Sequence, residues 1–199
     1  MKRISILSVI LLLSAGTMAQ SARSILDKAA ATISNPGGVK AHFQMISKQM
    51  GNTCGEIAVK GSKFQATTPG ATIWFDGKTQ WTYMKDNEEV NVSNPTEAEL
   101  QSINPYNFIN IYKKGFMLTS KTVGNFYEVH LLPTSKKRNI EEMYIIVDQK
   151  TYHPTHVKMC RKGKWSVILI SQLKATTLSD DIFQFNAKDF PKAEIIDLR

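Results

Sequence analysis

The sequence predicts a mainly β protein with a few helices, an α+β chain organised on an antiparallel sheet. Three observations carry that expectation. Residues 55–92 alternate apolar and polar side chains in short runs separated by turn residues, Asp76-Gly77 stands between two aromatic-rich runs, and a second alternating series fills residues 116–174. A period of two sends successive side chains to opposite faces of a strand, and Asp-Gly between such runs is among the strongest short hairpin signals.

The N-terminus decides the compartment. Met1-Lys2-Arg3 is basic, Ile4 to Leu13 is apolar, and small residues follow at Thr17 and Ala19. This is the pattern of an export signal, with residues 1–19 removed after Ala19. The apolar run falls short of the roughly 20 residues a spanning helix needs. No cysteine sits at the cleavage position to take a lipid. Taking 19 of the 199 residues away leaves 180, expected as one domain over 20–199, and losing Lys2 and Arg3 lowers the formal charge from +8 to +6. Lys136-Lys137-Arg138 is the longest basic run. It reads as a solvated loop, or as a weak attraction to anionic headgroups or an acidic partner. An exported chain has little occasion to meet nucleic acid, so none is expected.

Next, Ala22, Ile25, Leu26, Ala29, Ala30 and Ile33 recur on one face of a helix that Asn35-Pro36-Gly37-Gly38 stops. Val39, Ala41, Phe43 and Met45 begin a strand, and Met50 to Thr53 is expected to turn the chain. Ile57 and Val59 follow in a strand, then a turn at Gly61-Ser62, a strand over Lys63 to Thr67, and a turn at Thr68-Pro69-Gly70. Strands over Thr72–Phe75 and Thr79–Tyr83 flank Asp76-Gly77-Lys78. An even-numbered loop there puts Trp74, Trp81 and Tyr83 on one face and Ile73 and Phe75 on the other. Such a sheet needs a cover on each side, or a ligand on one.

Thr96 with Glu99 forms a capping box before Leu100 and Ile103, and Asn104-Pro105 opens a second short helix through about Tyr112. Phe108, Ile109, Ile111 and Tyr112 spread apolar surface around it, and Lys113-Lys114-Gly115 ends it. These broken helices read either as a lid or as a crossover packed on the sheet. Strands over 116–123, 126–132, 140–148, 155–161 and 165–174 are then expected as an antiparallel meander that becomes a barrel or curved sheet. Ser179-Asp180-Asp181 caps a short turn, and Phe183-Gln184-Phe185 is expected as the last main strand.

Gly-Glu-Ile (55–57), Val59-Lys60 and Phe64, followed by Ile-Trp-Phe-Asp-Gly-Lys-Thr-Gln-Trp-Thr-Tyr (73–83), resemble the periplasmic outer-membrane lipoprotein carrier family, LolA-like. Phe183-Gln184-Phe185 and Phe190 to Asp197 are similar to that family's ending. The resemblance implies an incomplete antiparallel β-barrel with an α-helical lid, located in the periplasm, that shelters the acyl chains of lipoproteins. It implies acylated lipoproteins as cargo and an inner-membrane lipoprotein-releasing ABC transporter as donor. The outer-membrane acceptor stays unidentified, and a monomer is expected. Phe43, Phe64, Trp74, Trp81 and Tyr83 would line the cavity, with Phe108 and Ile109 contributing from the lid. Read from the residues alone, these aromatics serve equally as core. One departure stands out: the family commonly carries Arg-Pro after the Val-Lys pair, where this chain has Gly61-Ser62. Lys60 or Lys63 would then supply charge for cargo handoff, without arginine's planar fork.

No nucleophile-and-base pair, phosphate loop or dinucleotide fingerprint is readable, so neither an enzyme nor a cofactor is expected. His153-Pro154-Thr155-His156 offers two of the about four ligands zinc needs, and no metal site is expected there. Cys54 and Cys160 are the only cysteines. Export permits a bridge, but proximity decides between a disulfide and two separate thiols.

Overall fold

A computed structural model describes residues 21–48, 51–96, 99, 110–135 and 138–199. Helix α1 (Ala22–Ile33) starts where the Ser21 hydroxyl accepts from the Ser24 amide at 3.2 Å, and its buried side is Ala22, Ile25, Leu26, Ala29 and Ala30. Its end is closed by the Ser34 amide and hydroxyl, which both donate to the Ala30 carbonyl.

The strands are β1 (Val39–Ser47), β2 (Gly51–Lys60), β3 (Lys63–Thr67), β4 (Ala71–Phe75), β5 (Gln80–Met84), β6 (Glu89–Ser93), β7 (Phe116–Val123), β8 (Phe126–Pro133), β9 (Glu142–Asp148), β10 (Pro154–Arg161), β11 (Lys164–Ala175) and β12 (Glu194–Asp197). They form one sheet in the order β12-β6-β5-β4-β3-β2-β1-β11-β10-β9-β8-β7. Two runs of hairpins, β1 to β6 and β7 to β11, are zipped together by β1 against β11, and β12 joins β6 in parallel. The mainly β expectation holds. The sheet is open, with β12 and β7 as its edges. The chain leaves it near one edge after Ser93 and re-enters at the other with Phe116.

Register divides the side chains between two faces. On the face that carries α1, the helix packs with Val129, Leu131, Met143, Ile145, Val147, Val157 and Met159. Beside this lies a second cluster of Val39, Val59, Phe64 and Phe75, and Ile33 of the helix touches both. On the opposite face the C-terminal arm covers the part formed by β2 to β5, where Leu178 and Phe183 bury Ala58.

Three expectations change. Gly51 to Thr53 already pairs with β1 rather than turning the chain. Phe183 ends a single helical turn (Asp180–Phe183), so Phe183-Gln184-Phe185 is not a strand; the Ser179 cap fixes that turn and the rings pack onto the sheet instead of joining its ladder. The last strand is β12. The capping box is present, with the Glu99 carboxylate accepting from the Thr96 amide at 2.8 Å, whereas the helices expected from Leu100 to Ile109 lie outside the described residues.

Gly55 has a steric role. A Cβ there would collide with the Thr67 carbonyl across the β2–β3 ladder and press on the Phe43 ring. Gly55→Ala is therefore expected to cost about 1–3 kcal/mol in urea unfolding, and an unchanged midpoint would contradict that close approach.

Candidate functional site

Among the described residues α1 makes its main strand contacts with β7 and β8, and the same face continues across β11, β1, β2, β3 and β4. There the cross-strand rows are apolar. Phe43 of β1 lies between Gly55 and Ile170, Met45 stands opposite Ile168, and Ala41 leads through Ile57 and Ala66 to Ile73. Phe43, Met45, Ile57, Ala66, Ile73, Ile168 and Ile170 are all half-buried, unlike the closed clusters on either side. Leu173 joins the same floor because a bulge at Gln172, whose φ is 52°, shifts the β11 register by one residue between Lys40 and His42. The result is a strip of apolar side chains without charged neighbours in its rows, a surface suited to hydrocarbon rather than to proton transfer.

The helix beside this strip is pinned at two points. The Tyr112 hydroxyl donates to Asp27 at 2.5 Å, and burial together with that carboxylate pushes its pKa above the ordinary tyrosine value. Lys28 lies 4.6 Å from the Tyr152 ring centre and donates to its hydroxyl.

The aromatic residues expected to share one cavity are split between the faces. Phe64 pairs directly with Phe75, and Gln65 with Trp74, so Phe64 and Trp74 point to opposite sides. The four-residue loop after Phe75 keeps Trp74, Trp81 and Tyr83 together, as the even-loop argument requires. Their side is the arm face. Phe190 packs against Trp74 and Tyr83, with ring centres 5.6 and 4.6 Å apart, and Phe185 packs against Trp74 at 5.6 Å. Phe64 is only 1% exposed and belongs to the core. Of the expected lining residues, Phe43 alone lies on the open strip; Phe108 and Ile109 are outside the described residues.

Lys60 and Lys63 also lie on the arm face, where each ion-pairs with Asp180 at 2.9 Å. Lys60 donates to the Leu178 carbonyl as well, at 2.9 Å. These lysines clamp the arm and do not border the strip. Hydrogen bonds from Lys63 and Lys60 hold the Asp180 carboxyl below the ordinary aspartate value of 3.8. A depressed carboxyl stabilises the fold above the ordinary value and loses that contribution as pH falls through its own lower pKa. The arm is thus expected to loosen below pH 3.8, seen as a red shift of Trp74 emission. Asp180→Asn should show the looser arm at neutral pH; emission identical to the parent at both pH values would rule the clamp out.

Cys54 and Cys160 are free thiols. β1 and β11 stand between their strands, and three strand steps of about 4.8 Å exceed disulfide reach. Burial, with the Glu141 carboxylate adding to it, raises the pKa of Cys160, which makes it an unreactive thiol. His153 and His156 belong to no group of three metal-ligating side chains among the described residues.

Ile57, Ile73 and Ile170 were within reach of sequence reasoning, since alternation alone sets Ile73 opposite Trp74. What was missing was the row-by-row pairing that sets them beside Phe43. Leu173 had no such signal, because a bulge breaks the alternation.

Residues 13–164 match the family model described as outer membrane lipoprotein carrier protein LolA. The match stops where β11 begins, so the ending at residues 183–197 lies beyond it. No curated protein matches. Among solved structures, an uncharacterized conserved protein from Thermus thermophilus shares the fold at a TM-score of 0.61, with 14% identity over 89% of this chain and 99% of that one. A LolA superfamily protein from Nitrosomonas europaea aligns at 0.44, with 14% identity over 84% of this chain and 99% of that one. The MucA/MucB complex of Pseudomonas aeruginosa aligns at 0.43, with 14% identity over 84% and 62%. With the match running through the hairpin series and ten of the twelve strands, the chain belongs to the outer membrane lipoprotein carrier protein LolA family.

Proposed function

We propose that this protein is a periplasmic carrier that shelters lipoprotein acyl chains on the open strip of the helix face. The observation that supports the reading is the strip itself: seven apolar side chains, from Phe43 to Ile170, only half-buried beside two closed clusters. An acyl chain of about 15 methylenes gains roughly 12 kcal/mol when fully sheltered, at about 0.8 per CH₂. A strip that shelters part of such a chain supplies binding and still allows release. Membership of a lipoprotein carrier family supports the cargo class, and the signal-like residues 1–19 support export. In this reading the donor is an inner-membrane lipoprotein-releasing transporter, and no covalent chemistry is involved.

A second reading is a periplasmic lipid-binding accessory protein that carries no lipoprotein. One observation favours it. The family's Arg-Pro is absent, and the lysines that would replace its charge are held by Asp180 on the opposite face. Spheroplasts labelled with radioactive palmitate separate the two readings. The carrier releases labelled lipoproteins into the soluble fraction in a complex with itself; an accessory protein takes up lipid and releases none.

A further inference from the structure

At the end of the sheet where β10 turns into β11, a hollow of about 460 Å³ is lined by Arg138, Asn139, Glu141, Arg161 and Lys162. Three cationic side chains face one carboxylate there, and that carboxylate is committed. Glu141 Oε2 accepts from the Gly163 amide at 2.9 Å and from the Cys160 thiol at 3.6 Å. Arg138 is held in place from behind. Its Nη2 donates to the Lys114 carbonyl at 2.8 Å, its guanidinium lies 4.6 Å from the Phe116 ring centre, and any side chain at Gly115 would collide with it.

Arg161 is the informative member. It is half-buried, and its Nε is shielded from solvent with no hydrogen-bond partner among the described residues. Burial alone pulls its pKa below the ordinary arginine value. A desolvated donor on a charged group is costly when left unmade, and the missing partner is an acceptor oxygen. Two guanidinium groups and an ammonium suit a group with several oxygens and more than one negative charge better than a lone carboxylate.

We propose that this hollow binds a phosphate oxyanion, held by Arg161, Arg138 and Lys162. Arg161 follows Val157 and Met159 on the helix face, so the bound phosphate sits at the end of an apolar surface. The group could come from a lipid headgroup or from free phosphate. The proposal stands whether or not acyl chains occupy the strip.

Calorimetric titration of the full chain tests it with two probes: inorganic phosphate, and dihexanoyl phosphatidic acid kept below its micelle concentration. Binding of either probe is expected, weakening with salt and falling about tenfold in Arg161→Gln. Lys162→Gln, in an exposed turn, should weaken binding several-fold at an unchanged unfolding temperature, and it carries the test if Arg161→Gln does not fold. Equal affinity for both probes assigns the site to free phosphate, and tighter binding of the lipid assigns it to a headgroup. No heat from either probe up to about 10 mM, a Kd beyond any specific site, overturns the proposal. So does binding that the substitutions leave unchanged.

Discussion

Replacing Phe64 by alanine should cost the fold about 3–5 kcal/mol, the range for emptying a large aromatic from a closed core. The ring is 1% exposed, lies 5.6 Å from Phe75, and shares its cluster with Val39 and Val59. A urea unfolding midpoint close to the parent's would mean that Phe64 faces an accessible cavity, as the family resemblance implied. The structure places it in the core instead, and a large loss of stability is the signature of that placement.

The second large effect is on binding. Ile73→Asp puts a carboxylate in the floor of the strip, between Ala66 and Thr82 in its row. Ile73 is half-buried against the Phe64 cluster, so the folded state also loses about 1–3 kcal/mol, which parallel unfolding measures. A charge set against hydrocarbon costs about 3 kcal/mol, by comparison with charges at the centre of a bilayer, or roughly a hundredfold in affinity for an acylated probe. Ile170→Asp, two strands beyond β2, should behave the same way. Uptake of a fluorescent palmitoyl peptide, with unfolding followed in parallel, separates this from misfolding. Trp81→Ala on the arm face is the control, and its uptake should match the parent's. If Trp81→Ala abolishes uptake while Ile73→Asp leaves it intact, the binding face has been assigned to the wrong side.

Much of the fold was legible because its signals are local. The stop at Asn35-Pro36-Gly37-Gly38 and the period of 3.6 placed α1, and alternation with turn residues placed β3, β7 and β8 nearly to the residue. The faces of Trp74, Trp81 and Tyr83 followed from the parity of one loop. What could not be read locally was which face holds the ligand. Phe64 and Trp74 are ten residues apart, and only the β3–β4 register sends them to opposite sides. The arm had a misleading signal as well. Phe183 and Phe185 alternate like a strand, but Ser179 caps a helical turn before them, and their rings are used to cover Ala58 and Trp74. The handoff role expected for Lys60 and Lys63 rests on a resemblance to an arginine this chain lacks. Their partner, Asp180, lies more than a hundred residues away in the chain, at a distance no sequence pattern encodes.

The assignment of the helix face as the acyl site is the claim on which the proposed function depends. Its most direct test is photo-crosslinking with a palmitoyl peptide that carries a diazirine along its chain, followed by mapping of the labelled residues by mass spectrometry. Adducts are expected on Phe43, Met45, Ile57, Ile73, Ile168 or Ile170. Adducts confined to Trp74, Trp81, Tyr83 and the arm, or none from a probe that labels an authentic lipoprotein carrier, would contradict it.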